Sequence, residues 1–138
     1  MSDASPSKFP TVERVTNAPN APAAIGPYSQ ASIFQRFVFL SGQIPLDPKS
    51  GALVEGGIEA QTEQVMKNIY AVLSHLGLGF EQIIKTTIFL TDLGHFQTVN
   101  GLYEKALGGV KPSRSTIQVA ALPKGAMVEI EVIAAQPE

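Results

Sequence analysis

The run Met127-Val128-Glu129-Ile130-Glu131-Val132-Ile133-Ala134-Ala135 alternates with the period of a β-strand. Val128, Ile130, Val132 and Ala134 point one way, and Met127, Glu129, Glu131 and Ile133 point the other. The first set is a continuous apolar face that helices would cover. The second carries two carboxylates among apolar neighbours. A half-apolar sheet face left open by the chain's own helices commonly packs against another subunit, so this one strand already predicts a homo-oligomer.

The helices needed for the covered face lie upstream. Ile58, Val65, Ile69, Val72 and Leu76 fall on one stripe at helical spacing, widened by Met66 and Leu73, and predict a helix from Ile58 to Leu76. Glu59 and Glu63 in its early turns, His75 in its last and Gly77 just beyond suit the macrodipole and a left-handed cap. A second helix follows Asp92 as N-cap, with Phe96, Val99, Tyr103 and Ala106 or Leu107 on its apolar face and Gly108-Gly109 as its stop. Thr11–Thr16, Phe34–Ile44 and the β-branched run Ile83–Thr91 read as strands, the second with burial on both faces at Phe37–Leu40. Ser115–Ala121 and Met127–Ala135 read as a hairpin around Leu122–Ala126. Between the first two strands, Pro19, Pro22 and Pro27 keep residues 17–28 extended or turning. The order β-β-α-β-α-β-β predicts an α+β domain of two layers, a mixed sheet with two helices packed on one face.

The chain has 138 residues, enough for one core, with residues 1–10, rich in Ser, Pro and Asp, as a flexible N-terminal arm and 11–138 as a single domain. It contains no cysteine, which excludes thiol nucleophiles, disulfides, iron–sulfur clusters and zinc fingers. A net charge of −2, with three arginines, lacks the basic stripe of a nucleic-acid or anionic-membrane partner. Apolar runs fall far short of the roughly 20 residues of a membrane span. The mixed-charge N-terminus has no signal-peptide core, so a cytoplasmic protein is expected.

Chemistry has few candidate carriers. His75 and His95 are isolated, so no metal site is expected, and neither a hydrolase triad nor a phosphate-binding glycine loop is spaced correctly. Arg114 stands out because Lys111-Pro112-Ser113 feeds it into an apolar strand, where its planar fork matches a carboxylate bidentately. By residue type alone, a structural ion pair with Glu129 or Glu131 is favoured over a ligand site. The expected hairpin argues against that pair within one chain, since residue 114 would face about residue 133, leaving Glu129 about 13 Å away along the strand. Two subunits could bring them together.

Gly26-Pro27-Tyr28-Ser29-Gln30, Leu40-Ser41-Gly42-Gln43-Ile44-Pro45, Gln61-Thr62 with Asn68-Ile69, Pro112-Ser113-Arg114-Ser115, Leu122-Pro123 and Val128-Glu129-Ile130-Glu131 form an ordered set. Spread from about Asn17 to Ala135, it closely resembles the YjgF/RidA family of reactive-intermediate deaminases. The resemblance implies a chorismate-mutase-like fold assembled as a homotrimer with three clefts between subunits. It implies a 2-iminobutanoate/2-iminopropanoate deaminase that uses no cofactor. Such an enzyme hydrolyses 2-imino acids and their enamine tautomers, such as 2-aminoacrylate from pyridoxal-phosphate-dependent dehydratases, to 2-oxo acids and ammonia.

In that reading Arg114 clamps the substrate carboxylate and Glu129 orients or activates the attacking water. Tyr28, Ser41, Gly42 and Asn100 match positions that line the cleft, and Thr116 stands where some members carry cysteine, so no thiol is required. The segment from Asn100 to Arg114 is shorter than in some relatives. Plain structural roles remain open for Tyr28 as a core ring and for Ser41 and Asn100 as turn or capping groups. The resemblance turns the Arg114 reading from ion pair to ligand clamp. The alternatives are a non-catalytic 2-oxo-acid-binding regulatory trimer and, less favoured by the acidic charge, an RNA-directed endoribonuclease. A chorismate mutase is weaker still, as one arginine offers little to a dianion. The expected partners are therefore a small imino acid and further copies of the chain.

Overall fold

The computed structural model describes residues 8–138; of the expected arm, only Lys8, Phe9 and Pro10 are among them, and all three are exposed. Eight main elements follow: β1 (Val12–Val15), β2 (Ala31–Phe34), β3 (Phe37–Gln43), α1 (Ile58–His75), β4 (Ile83–Leu90), α2 (Phe96–Leu107), β5 (Ser113–Gln118) and β6 (Val128–Ala135). They form one six-stranded mixed sheet in the order β1-β2-β3-β6-β4-β5, with both helices on one face. The α+β, two-layer expectation holds.

The alternation in β6 works as its sequence implies, with Val128, Ile130, Val132 and Ala134 all buried under the helices. Ile69 and Leu73 of α1 lie against them and are almost wholly enclosed; each such side chain contributes about 1.5–3 kcal/mol of transfer free energy. Helix α1 stops at Gly77, whose φ of +75° admits the left-handed turn in which Gly77 N donates to Ser74 O and Leu78 N to Leu73 O. Asn68, fully buried on α1, donates from Nδ2 to Leu46 O at 3.0 Å and Ile44 O at 3.3 Å. The helix is thereby stapled to the loop that leaves β3.

Four expectations need correction. Phe34–Ile44 is not one strand: it belongs to a hairpin, with β2 and β3 joined by a two-residue turn in which Gln35 has φ +56°. Nor are Phe37–Leu40 buried on both faces, because Phe37 and Phe39 project from the open face and stay 47% and 44% exposed. Asp92 does not cap α2 directly. Its Oδ1 accepts from Gly94 N and so opens a 3-10 turn, Leu93–His95, that runs into the helix.

The largest difference concerns the C-terminal strands. β5 and β6 do not form a hairpin, because β4 lies between them. β5 pairs with β4 in parallel, returning across the helix layer through α2, while β6 runs antiparallel between β3 and β4. A crossover through a helix is the ordinary way for a chain to place a parallel strand, and here it makes β5 the edge of the sheet. Residue 114 accordingly faces Thr86 rather than residue 133.

Candidate active site

Two hollows gather the residues singled out by sequence, and the sheet keeps them apart. The first holds about 470 Å³ and is lined by Tyr28, Ser41, Gly42 and Glu129, together with Ile25 and Lys124. A β-bulge builds it. Leu40 pairs with Val132 and Gln43 with Ile130, so Ser41 and Gly42 together stand opposite the single residue Glu131. Such an extra residue re-aims the strand locally and is frequent beside functional sites.

Ser41 is fixed from both ends of its residue. Its N donates to Gln30 O at 3.0 Å, and its Oγ donates to Ser29 O at 2.6 Å. Gly42 is required by the space that Glu129 occupies. A Cβ at Gly42 would overlap Glu129 Oε2 and come within 2.8 Å of Cδ. The carboxylate therefore lies flat on bare backbone, half-buried. Desolvation raises its pKa above the ordinary glutamate value, and the negative charge of Glu131, two residues along on the same face, raises it further. Tyr28 is no core ring: it is 52% exposed at the mouth of this hollow.

The second hollow, about 200 Å³, is bounded by Asn100, Tyr103, Pro112 and Arg114. Because Arg114 pairs with Thr86, and Thr86 faces the helices, its side chain lies on the helix side of the sheet edge. Arg114 Nη1 donates to Asn100 Oδ1 at 2.6 Å. Its Cζ stands 5.6 Å from the centroid of the Phe96 ring and 5.3 Å from that of Tyr103. Among the described residues no carboxylate comes within ion-pair distance of Arg114. The ion pair with Glu129 or Glu131 that residue types alone favoured is thus not formed.

Thr116 sits two residues along β5 on the same face. Its Oγ1 is closed off from solvent with no hydrogen-bond partner among the described residues. Val119 N donates to Leu90 O, so alternation along the strand turns the Thr116 N–H toward the free sheet edge.

Register separates the two hollows. Glu129 pairs with Phe89, which pairs with Ile117, so Glu129 and Arg114 differ by three residues along the strands and two strands across. Their backbones are roughly 14 Å apart, and their side chains leave opposite faces of the sheet. Sequence reasoning singled out Arg114 and Asn100, which the structure brings together, and left out Phe96 and Tyr103 beside them. The spacing Phe96, Asn100, Tyr103 on one helix face was the available signal.

Among the described residues no group of three or more His, Asp or Glu side chains is placed to hold a metal ion, and no helix is long and apolar enough to cross a membrane. A groove of about 490 Å³ between the outer faces of α1 and α2, lined by Met66, Tyr70, Phe80 and Lys105, carries neither the arginine nor the buried carboxylate.

Comparison with known proteins gives these features a context. The family model described as endoribonuclease L-PSP matches residues 18–136. A mouse protein named 2-iminobutanoate/2-iminopropanoate deaminase is 46% identical over 125 residues, which cover 91% of this chain and 93% of the mouse protein. Among solved structures, E. coli TdcF with bound serine superposes with a TM-score of 0.85 at 38% identity, covering 91% of this chain and all of TdcF. The E. coli YjgF gene product gives 0.84 at 40% identity, again over 91% of this chain and all of YjgF.

Proposed function

The chain belongs to the endoribonuclease L-PSP family, also called YjgF/RidA, and from that premise we propose that it hydrolyses 2-imino acids, and the enamines in equilibrium with them, to 2-oxo acids and ammonia. One observation carries the assignment of roles. Arg114 is gripped by two aromatic rings and a neutral amide oxygen with no carboxylate of the described residues beside it, which leaves a full charge and most of its donors for a ligand anion.

The reaction needs little beyond position and a base. Arg114 takes the substrate carboxylate, and the Thr116 N–H at the sheet edge offers a further donor. Water adds to the imine carbon while Glu129 accepts one of its protons and returns it to nitrogen, giving a carbinolamine; Glu129 then takes the hydroxyl proton and passes it to the amino group, so that the C=O bond forms as the C–N bond breaks, leaving ammonia and the 2-oxo acid. A carboxylate with a raised pKa is a stronger base than an ordinary glutamate. Tyr28 and the Ser41-Gly42 bulge wall the hollow in which this happens. An α-amino acid is bound in the TdcF structure, and it shares the carboxylate and α-nitrogen of the proposed substrate.

A single chain holds Arg114 and Glu129 too far apart for one small acid, so the reading extends to assembly. We propose a homotrimer in which the Arg114 edge of one subunit closes on the Glu129 hollow of the next. The exposed Phe37, Phe39 and Ile117 of the open sheet face supply apolar surface for that contact. An RNA-directed activity finds no basic stripe in a chain of net charge −2.

The test is a coupled assay in which a serine dehydratase generates 2-aminoacrylate and pyruvate release is followed, with semicarbazide trapping surviving imine. Wild type should accelerate release and deplete the trapped imine, and Arg114→Ala should do neither. Wild type behaving like buffer across several imino acids would remove the catalytic reading.

A further inference from the structure

We propose that Tyr103 and Phe96 are the positioning residues of Arg114: two rings that fix the height and plane of its guanidinium so that its donors face the incoming carboxylate. The inference rests on Arg114 being the carboxylate clamp and adds how the clamp is held. Arginine is a flexible side chain, and each rotor frozen only on binding lowers affinity. An ion pair would freeze it at the cost of its charge. Stacking on rings freezes it while leaving the charge and the in-plane donors unspent.

The geometry has the features this requires. Both ring centroids lie within 6 Å of Arg114 Cζ, the range of a cation over an aromatic face. Phe96 and Tyr103 are seven residues apart on α2, two turns along one face, with Asn100 between them. That spacing places ring, amide oxygen and ring in a row against one guanidinium. The Tyr103 ring is itself immobilised. It is 6% exposed, and its hydroxyl makes a 2.7 Å hydrogen bond with Thr86 Oγ1, which is buried. Thr86 is also the β4 residue that pairs with Arg114. One strand position therefore registers both the backbone of the arginine and the ring beneath its head group. Phe96, 37% exposed in the first turn of the helix, is the looser of the two.

The experiment measures binding of 2-oxobutanoate by calorimetry and steady-state kinetics with an imino acid substrate. Tyr103→Leu should weaken binding and raise KM about 10- to 30-fold, with kcat changed less than about twofold; Phe96→Leu should do so by about 2- to 5-fold. Tyr103→Phe keeps the ring and should stay within about threefold of wild type. In an Arg114→Lys background no planar guanidinium remains to be oriented and only the attraction of an ammonium for a ring is left, so the Tyr103→Leu and Phe96→Leu losses should shrink to about a third or less. Should Tyr103→Leu not fold, the same cycle with Phe96→Leu decides the matter alone.

Ring variants that bind like wild type would overturn the proposal, as would losses that persist undiminished on the lysine background, since those would report general packing. Failure of the clamp itself looks different: Arg114→Ala would then bind 2-oxobutanoate as well as wild type, and both readings would fall together.

Discussion

At the scale of single residues, the proposed chemistry turns on how closely Glu129 lies against Gly42. The overlap a Cβ would make is with the carboxylate itself, so Gly42→Ala must push Glu129 off its seat while changing nothing in the core. The expected result is a fall in kcat of about tenfold or more with the thermal midpoint kept, the mark of a displaced base rather than a damaged fold. The raised pKa of Glu129 gives a second prediction. Its acid form is favoured in the folded state, first by burial and then by Glu131. Activity that needs the ionised carboxylate should therefore fall, as pH drops, at a higher pH than an ordinary glutamate would set. Glu131→Gln removes the smaller cause and should move that acidic limb of kcat/KM downward, though not abolish its elevation. Stability runs the opposite way. A group that binds its proton more tightly when folded favours the fold below its unfolded pKa and loses that contribution as pH rises through the folded value. Glu129→Gln should consequently flatten the decline of stability across that window while removing activity, and chemical denaturation at several pH values would show both signs.

At the scale of elements, the loop from Asn17 to Tyr28 shows how a segment with little regular structure is held still beside the site. Gln30, 2% exposed immediately before β2, accepts from Ala18 N at 2.7 Å and donates to Pro22 O at 2.9 Å. Gln30→Ala strands buried backbone groups at both ends of that clamp and should cost about 1–3 kcal/mol in denaturant unfolding, with faster amide exchange at residues 17–22. The same scale shows where sequence patterning sufficed and where it did not. The stripe of α1 and the alternation of β6 were legible because each buries one whole face, and burial imposes a period. The β2–β3 turn was hidden because Gln35 takes a left-handed conformation with no glycine or asparagine to announce it. The partner of β5 was hidden for another reason. Ser113-Arg114-Ser115-Thr116-Ile117-Gln118 is not the apolar strand expected after Pro112: Ile117 is its one large apolar residue, so no buried face distinguishes a hairpin with β6 from a crossover to β4. Of the candidate site residues, Arg114 is singled out by its own placement after Pro112, whereas Tyr28, Ser41, Gly42, Asn100 and the role of Glu129 come through resemblance, since single residues on distant elements carry no shared local pattern.

At the scale of the whole molecule, the separation of Arg114 from Glu129 becomes a decisive experiment. Each residue is intact in one hollow, the sheet directs them to opposite faces, and the open face between them is lined with half-exposed rings. If catalysis joins the arginine of one subunit to the glutamate of its neighbour, two dead variants should rescue each other. Homotrimers of Arg114→Ala lack the clamp at every site, and homotrimers of Glu129→Gln lack the base at every site. In trimers refolded from an equal mixture, a site draws its arginine and its glutamate from independently chosen subunits, so about one site in four pairs two wild-type residues. The mixture should recover about a quarter of wild-type activity, in proportion to the mixed species resolved by differently tagged subunits. If both residues acted within one chain, no mixed trimer would contain an intact site and activity would stay at the level of the separate variants. Phe39→Glu places a charge on the open face and should shift sedimentation toward monomer and remove activity even with both site residues present. A monomer that still turned over substrate would show instead that one chain can bring the two hollows together.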